Sequence, residues 1–240
     1  MKRILLPTLL IIVMFCTANA QKHVTTVGFQ FKPIFSSSMF GTGPIQLDQN
    51  DIDFLINPKS GFSAGMLIRR GITERISVEG GISYVKRNYD LTITDGEFIH
   101  MTNFKIIGYE VPVAGLVYIP LSQHLFMNAA FGFSFDFFPS DISTASSFYE
   151  HYGARTEWVI PGMLANLGWE FRTEKSGMIY LGASYHQPFS EIYNSIITYT
   201  QFGKEELVSG FLRGNYLTLD LRYFFHEDPQ ERVKRKKTKK

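Results

Sequence analysis

The residues of this chain best equipped for chemistry are charged side chains that recur at alternate positions inside otherwise apolar segments: Lys32, Arg69, Glu79, Glu110, Asp136, Glu170, Arg172, Asp220 and Arg222. Carboxylates facing guanidinium groups across a narrow space can relay ions or protons, or they can pair and lock that space shut. The histidines, His23, His100, His124, His151, His186 and His226, show no metal-ligand spacing such as H-E-x-x-H. His186, with Ser184 and Ser190 nearby and Glu191 following, comes nearest to a nucleophile–base–acid set, and is expected as a rim histidine hydrogen-bonded to loop backbone. No glycine-rich phosphate cradle or nucleophile elbow is present. No catalytic, cofactor-binding or metal-ligating residue is therefore assigned, no cofactor is expected, and the chain is read as a non-enzyme.

The elements that carry those charges read as strands, because apolar and polar residues alternate with a period of two. The clearest segment sets Leu125, Met127, Ala129, Phe131, Phe133, Phe135 and Phe137 against Asn128, Ala130, Gly132, Ser134 and Asp136. Seven more segments follow the same rule, beginning near Thr26, Gly61, Ile76, Ile107, Val159, Ile179 and Leu217. Aromatics make up 15% of the chain while its mean hydropathy is only −0.03, the balance expected when one parity faces lipid and the other a polar interior. The polar parity is rich in Gly, Ala and Ser, which suits a crowded interior better than a water-facing surface. That favours a membrane barrel over a soluble lipocalin-like one.

Spacing between segments alternates. Arg70 to Glu74, Pro120 to His124 and Thr173 to Gly177 are tight, whereas Ser37 to Ser60, Asn88 to Asn103, Pro139 to Thr156 and Pro188 to Gly210 are long. Outer-membrane barrels pair short periplasmic turns with long external loops. The fold expected is all-β: an eight-stranded antiparallel transmembrane β-barrel over residues 21–225, both termini periplasmic. Its interior is wide enough only for side chains, so the charges are expected to pair across the lumen, with a narrow ion or solute channel as the alternative. Pro112 and Pro161 are expected at bulges or ladder interruptions.

Residues 1–20 read as a signal peptide: Met1-Lys2-Arg3, an apolar run from Ile4 to Phe15, then Ala18-Asn19-Ala20. The segment contains Cys16, the chain's one cysteine. Residues 226–240 hold seven Lys or Arg against three Asp or Glu and read as a basic periplasmic tail, where nucleic acid is not an expected partner.

The stretch Tyr109-Glu110-Val111-Pro112-Val113-Ala114-Gly115-Leu116-Val117-Tyr118 resembles a characteristic strand of the PorT-like outer-membrane barrels, and the strand from Gly61 and the closing Leu217-Thr218-Leu219-Asp220-Leu221-Arg222-Tyr223-Phe224-Phe225 fit the same pattern. Gly115 to Val117 departs from it, replacing a bulkier run that ends in lysine. The resemblance implies a fold and an outer-membrane location, and by analogy a partner in an envelope or secretion assembly. An outer-membrane lipid-modifying enzyme is the further alternative, but where a lipid A deacylase has histidine-x-serine-asparagine this chain has His186-Gln187-Pro188-Phe189. The expected role is structural or accessory, in contact with outer-membrane lipid. Ile192 to Phe202 alternates like a strand extension that lifts its hairpin above the membrane, and partner contact is expected in the long loops, at Phe54, Leu55, Ile196 and Tyr199, with packing over the barrel mouth as the competing expectation.

Overall fold

In the computed structural model, residues 24–36, 41–173 and 176–226 are described. The signal-peptide reading falls outside them, as does all of the basic tail but His226. The described residues form thirteen strands and no helix: β1 (Thr25–Phe35), β2 (Ile45–Gln49), β3 (Ile52–Gly71), β4 (Ile76–Asp95), β5 (Phe98–Pro120), β6 (Leu125–Phe137), β7 (Ile142–Ala145), β8 (Tyr149–Arg155), β9 (Val159–Arg172), β10 (Met178–Pro188), β11 (Tyr193–Gln201), β12 (Lys204–Leu212) and β13 (Tyr216–Phe224).

Eight of these close a ring. The order β1-β13-β10-β9-β6-β5-β4-β3 returns to β1 through an antiparallel β1–β3 ladder running from Thr25 opposite Arg70 to Ile34 opposite Gly61. Every contact between neighbours is antiparallel, and the barrel has no free edge. The alternation of the sequence becomes an inside and an outside. Phe131, Phe133, Phe135 and Phe137 are exposed on one face of β6, while Asn128, Ser134 and Asp136 are buried on the other. Aromatic rings gird the outer wall near its upper rim: Phe31, Phe62, Tyr84 and Tyr109, on four successive strands of the ring, have centroids 6.0 Å apart in each consecutive pair. At the end carrying the tight turns and the termini, Phe29, Tyr223 and Phe225 form a second aromatic group.

The long connections are largely strand: Ile192 to Phe202 carries β11 as its alternation implies, and the other three are strand where loop is expected. β3, β4 and β5 run for 20, 20 and 23 residues, about twice the 9–11 residues that cross a bilayer. Their upper halves, edged by β2, form one layer. A separate sheet of order β12-β11-β8-β7 forms a second, meeting the first where β12 approaches β2 and β7 approaches β5. Between the layers lies an apolar core of Ile52, Phe54, Ile56, Leu91, Ile93, Ile106, Ile197, Tyr199 and others. The segment from Asn88 to Asn103 is thus a β4–β5 hairpin turning at Asp95–Phe98, with Gly96 at φ 60°. Tyr89, Leu91 and Ile93 are buried between Asp90, Thr92 and Thr94 along its first arm, the pattern of a strand buried on one side.

Prolines fall where ladder bonds are missing. The β4–β5 ladder keeps one register but skips the positions opposite Val111 and Pro112. Pro161 stands just past Gly162, the last β9 residue paired with β10. Among the described residues only the β3–β4 ladder shifts register, between Lys59 and Phe62.

Candidate functional site

Two adjoining features gather the reactive side chains: a charged lumen and a pocket at its upper rim. In the lower lumen Arg69 pairs with Glu79 at 2.8 Å and with Glu170, and Arg172 reaches Glu170 at 2.7 Å. Arg222 links Glu79 at 2.6 Å to Asp220 at 2.5 Å, and Lys32 approaches Asp220 at 3.6 Å. Asp220 also accepts hydrogen bonds from Ser184, Thr218 and Asn166. Charges this deeply buried persist only when paired and hydrogen-bonded. The guanidinium groups are roofed by rings as well, Arg69 at 3.9 Å from the Phe224 centroid and Arg172 at 4.1 Å from Phe126. At the terminus end, a void beside Val24, Arg69, Tyr118 and Arg172 measures only about 10 Å³, barely one water.

Tyr180 enters this layer because the opposed pair Gly168 and Gly182 makes room for it. A Cβ on Gly182 would stand 2.6 Å from both the Leu167 carbonyl oxygen and the Tyr180 ring. The Tyr180 hydroxyl donates to Asn166 at 2.6 Å.

The upper lumen holds Glu110, Asp136, His186, Arg87, Ser134 and Tyr216. His186 Nε2 lies 2.8 Å from Ser134 Oγ, 3.2 Å from Asp136 Oδ1 and 3.8 Å from Glu110 Oε2. Arg87 lies 3.4 Å from Asp136, and the Tyr216 hydroxyl donates to Glu110. A serine–histidine–carboxylate relay needs the serine on one ring nitrogen and the carboxylate on the other. Here both converge on Nε2, and His186 Nδ1 has no hydrogen-bond partner. Glu110, Asp136 and His186 could together ligate a cation, but a ligating histidine normally donates its second ring N–H to a neighbour, and His186 has none. The group fits an ion-paired plug better than a metal centre.

All nine charges expected to face inward do so, eight of them buried and Arg172 partly so. Sequence reading missed Arg87, four residues beyond Ser83 in the alternation of Glu79, Gly81 and Ser83 and on the same parity. It also placed His186 at the rim, hydrogen-bonded to loop backbone; instead His186 faces Ser134 and the two acids, while Ser190 and Glu191 are exposed. Of the loop residues, Phe54 and Tyr199 are fully buried against each other, ring centroids 6.2 Å apart, so they are core rather than contact surface. Leu55 and Ile196 are half-buried on the opposite faces of their strands.

Above Arg87 and Tyr216 opens a pocket of about 530 Å³. It exists because β1 stops pairing with β3 at Gly61, and β2 takes up that edge only from Ile56. Across the gap, the Ser36 hydroxyl donates to the Pro58 carbonyl at 3.0 Å. Pro58, lacking an N–H, suits an unpaired edge.

No protein-family model matches the chain, and no curated protein matches it. Among solved structures it is similar to the outer membrane protein OprG from Pseudomonas aeruginosa, with TM-score 0.54 and 12% identity over 88% of this chain and all of that one. A second match, the outer membrane protease OmpT from Escherichia coli, has TM-score 0.33 and 9% identity over 83% of this chain and 94% of that one. The likeness to OprG is one of fold, that of an outer-membrane β-barrel.

Proposed function

We propose that this chain is a non-conducting, non-enzymatic outer-membrane barrel of the PorT-like kind, with periplasmic termini and a raised external sandwich, serving a structural or accessory role in an envelope or secretion assembly. The observation that carries this reading is the lumen: connected ion pairs fill its lower part with Leu116, Tyr118 and Phe126 packed among them, the group of Glu110, Asp136, His186 and Arg87 fills its upper part, and the sandwich core lies above. A barrel sealed at three levels has its working surface on the parts that rise above the membrane. The aromatic groups at both rims and the exposed apolar band between them fit a bilayer-spanning wall. The Glu-Val-Pro stretch that supports the PorT-like assignment lies on β5, with Glu110 in the upper lumen.

Single-channel recording in planar bilayers tests the sealed lumen. Purified protein should show no stable conductance step; a reproducible unitary conductance overturns the reading in favour of the narrow channel.

A further inference from the structure

The pocket above Arg87 has a composition that specifies a ligand. Its described walls include the apolar or aromatic side chains Ile34, Phe35, Ile56, Phe211 and Leu212, and three cationic residues, Lys59, Arg87 and Arg213, but no carboxylate. The cations differ in depth. Lys59 and Arg213 stand at the exposed rim, Lys59 in a pair with Asp90 at 2.7 Å. Arg87 is buried on the inner wall, shares Asp136 with His186, and its Nε has no hydrogen-bond partner.

A buried guanidinium N–H without an acceptor is costly, and an oxyanion is the group that satisfies it most strongly. The opening lies beside Phe35 and Phe211, which are exposed, and Phe35 continues the outward-facing row of Phe29 and Phe31 on β1. A ligand entering here meets apolar wall first and positive charge within. The volume is that of a small-molecule site.

From this geometry we infer that the pocket binds an amphipathic anion, a single hydrocarbon chain bearing a carboxylate or phosphate, with its head toward Arg87 and its chain along Ile34, Phe35 and Phe211. Such a molecule can come from free fatty carboxylates or from phosphate-bearing lipid, and the head group distinguishes the two.

The test uses the full barrel in maltoside detergent and a dansyl-labelled undecanoate probe, competed by laurate, dodecyl phosphate and neutral dodecanol. Saturable binding of one probe per barrel is expected, displaced by one or both anions at least tenfold better than by dodecanol. Preference for laurate points to free carboxylates and preference for dodecyl phosphate to a lipid head group, and either supports the site. The double variant Lys59→Gln/Arg213→Gln, at the exposed rim, should weaken anion binding about tenfold, and Arg87→Gln should weaken it further. Should Arg87→Gln lose its heat-modifiable folded form, the rim double variant decides alone. Absence of saturable binding, equal competition by dodecanol, or unchanged anion affinity in the folded variants overturns the inference. Conductance does not bear on it, so the sealed-lumen reading and this one fail separately.

Discussion

At the scale of single residues, the interior is a set of mutual obligations. Glu79 is held by both Arg69 and Arg222, so Glu79→Ala leaves two buried guanidinium groups short of a partner. Breaking a buried pair from one side costs about 3–5 kcal/mol. The variant should unfold at distinctly lower urea than the native barrel, read by loss of heat-modifiable migration; an unchanged midpoint would show that water replaces the carboxylate. A different obligation binds His151 in the raised sandwich, where Nε2 meets Ser195 Oγ at 2.8 Å and the ring lies 4.5 Å from Phe104. Burial lowers its pKa to about 4, whereas the unfolded imidazole titrates near ~6.5. The unfolded chain therefore binds the extra proton first as pH falls. Sandwich stability should be full above about pH 6.5 and decline toward pH 4, by up to about 3 kcal/mol. Hydrogen exchange of β8 and β11 amides at pH 7 and pH 5 reads this directly, and His151→Gln should flatten the difference.

At the scale of elements, barrel and sandwich share strands on one side only. β3, β4 and β5 belong to both, while β11 pairs with β8 and with β12, and neither β11 nor β12 contributes to the ring. Replacing β11–β12 with a tight turn should leave a folded, heat-modifiable barrel. It should also expose Phe54, Leu91 and Ile93, detectable as new binding of a hydrophobic dye; loss of the barrel itself would show that the sandwich is needed for closure. The same division explains what the sequence made legible. The eight ring segments stand out because one face is lipid and the other a crowded lumen, so parity is strict from Phe131 to Phe137. Above the membrane both layers are covered on one face only and the solvent face tolerates anything. Thr92, Thr94 and Met101 look like loop composition although Leu91, Ile93 and Phe104 keep the beat. Arg87 lies at that change of environment, where composition no longer marks the ring strand, and no local signal links it to Asp136, 49 residues away. The pocket has no signal in the sequence, since it arises from where the β1–β3 and β2–β3 ladders stop.

For the whole molecule, the four hairpin tips of the upper end lie at Gln49–Ile52, Asp95–Phe98, Ala145–Tyr149 and Gln201–Lys204. Epitope tags at Gln49, Gly96, Ser146 and Lys204 should be reached by antibody on intact cells, and a tag after Lys240 should not; surface labelling of the C-terminal tag would invert the topology. The ring also dictates an order of events. Its seam joins β1 to β13, bringing Gly28 opposite Phe224, almost the full length of the domain apart. Contacts between such distant segments form slowly because the loop entropy is lost before any pairing compensates it. Until β13 has been synthesised, the first strand has no partner on that side and the lumen charges no enclosure. One seam between the two ends of the domain thus completes the apolar wall and encloses the lumen charges together.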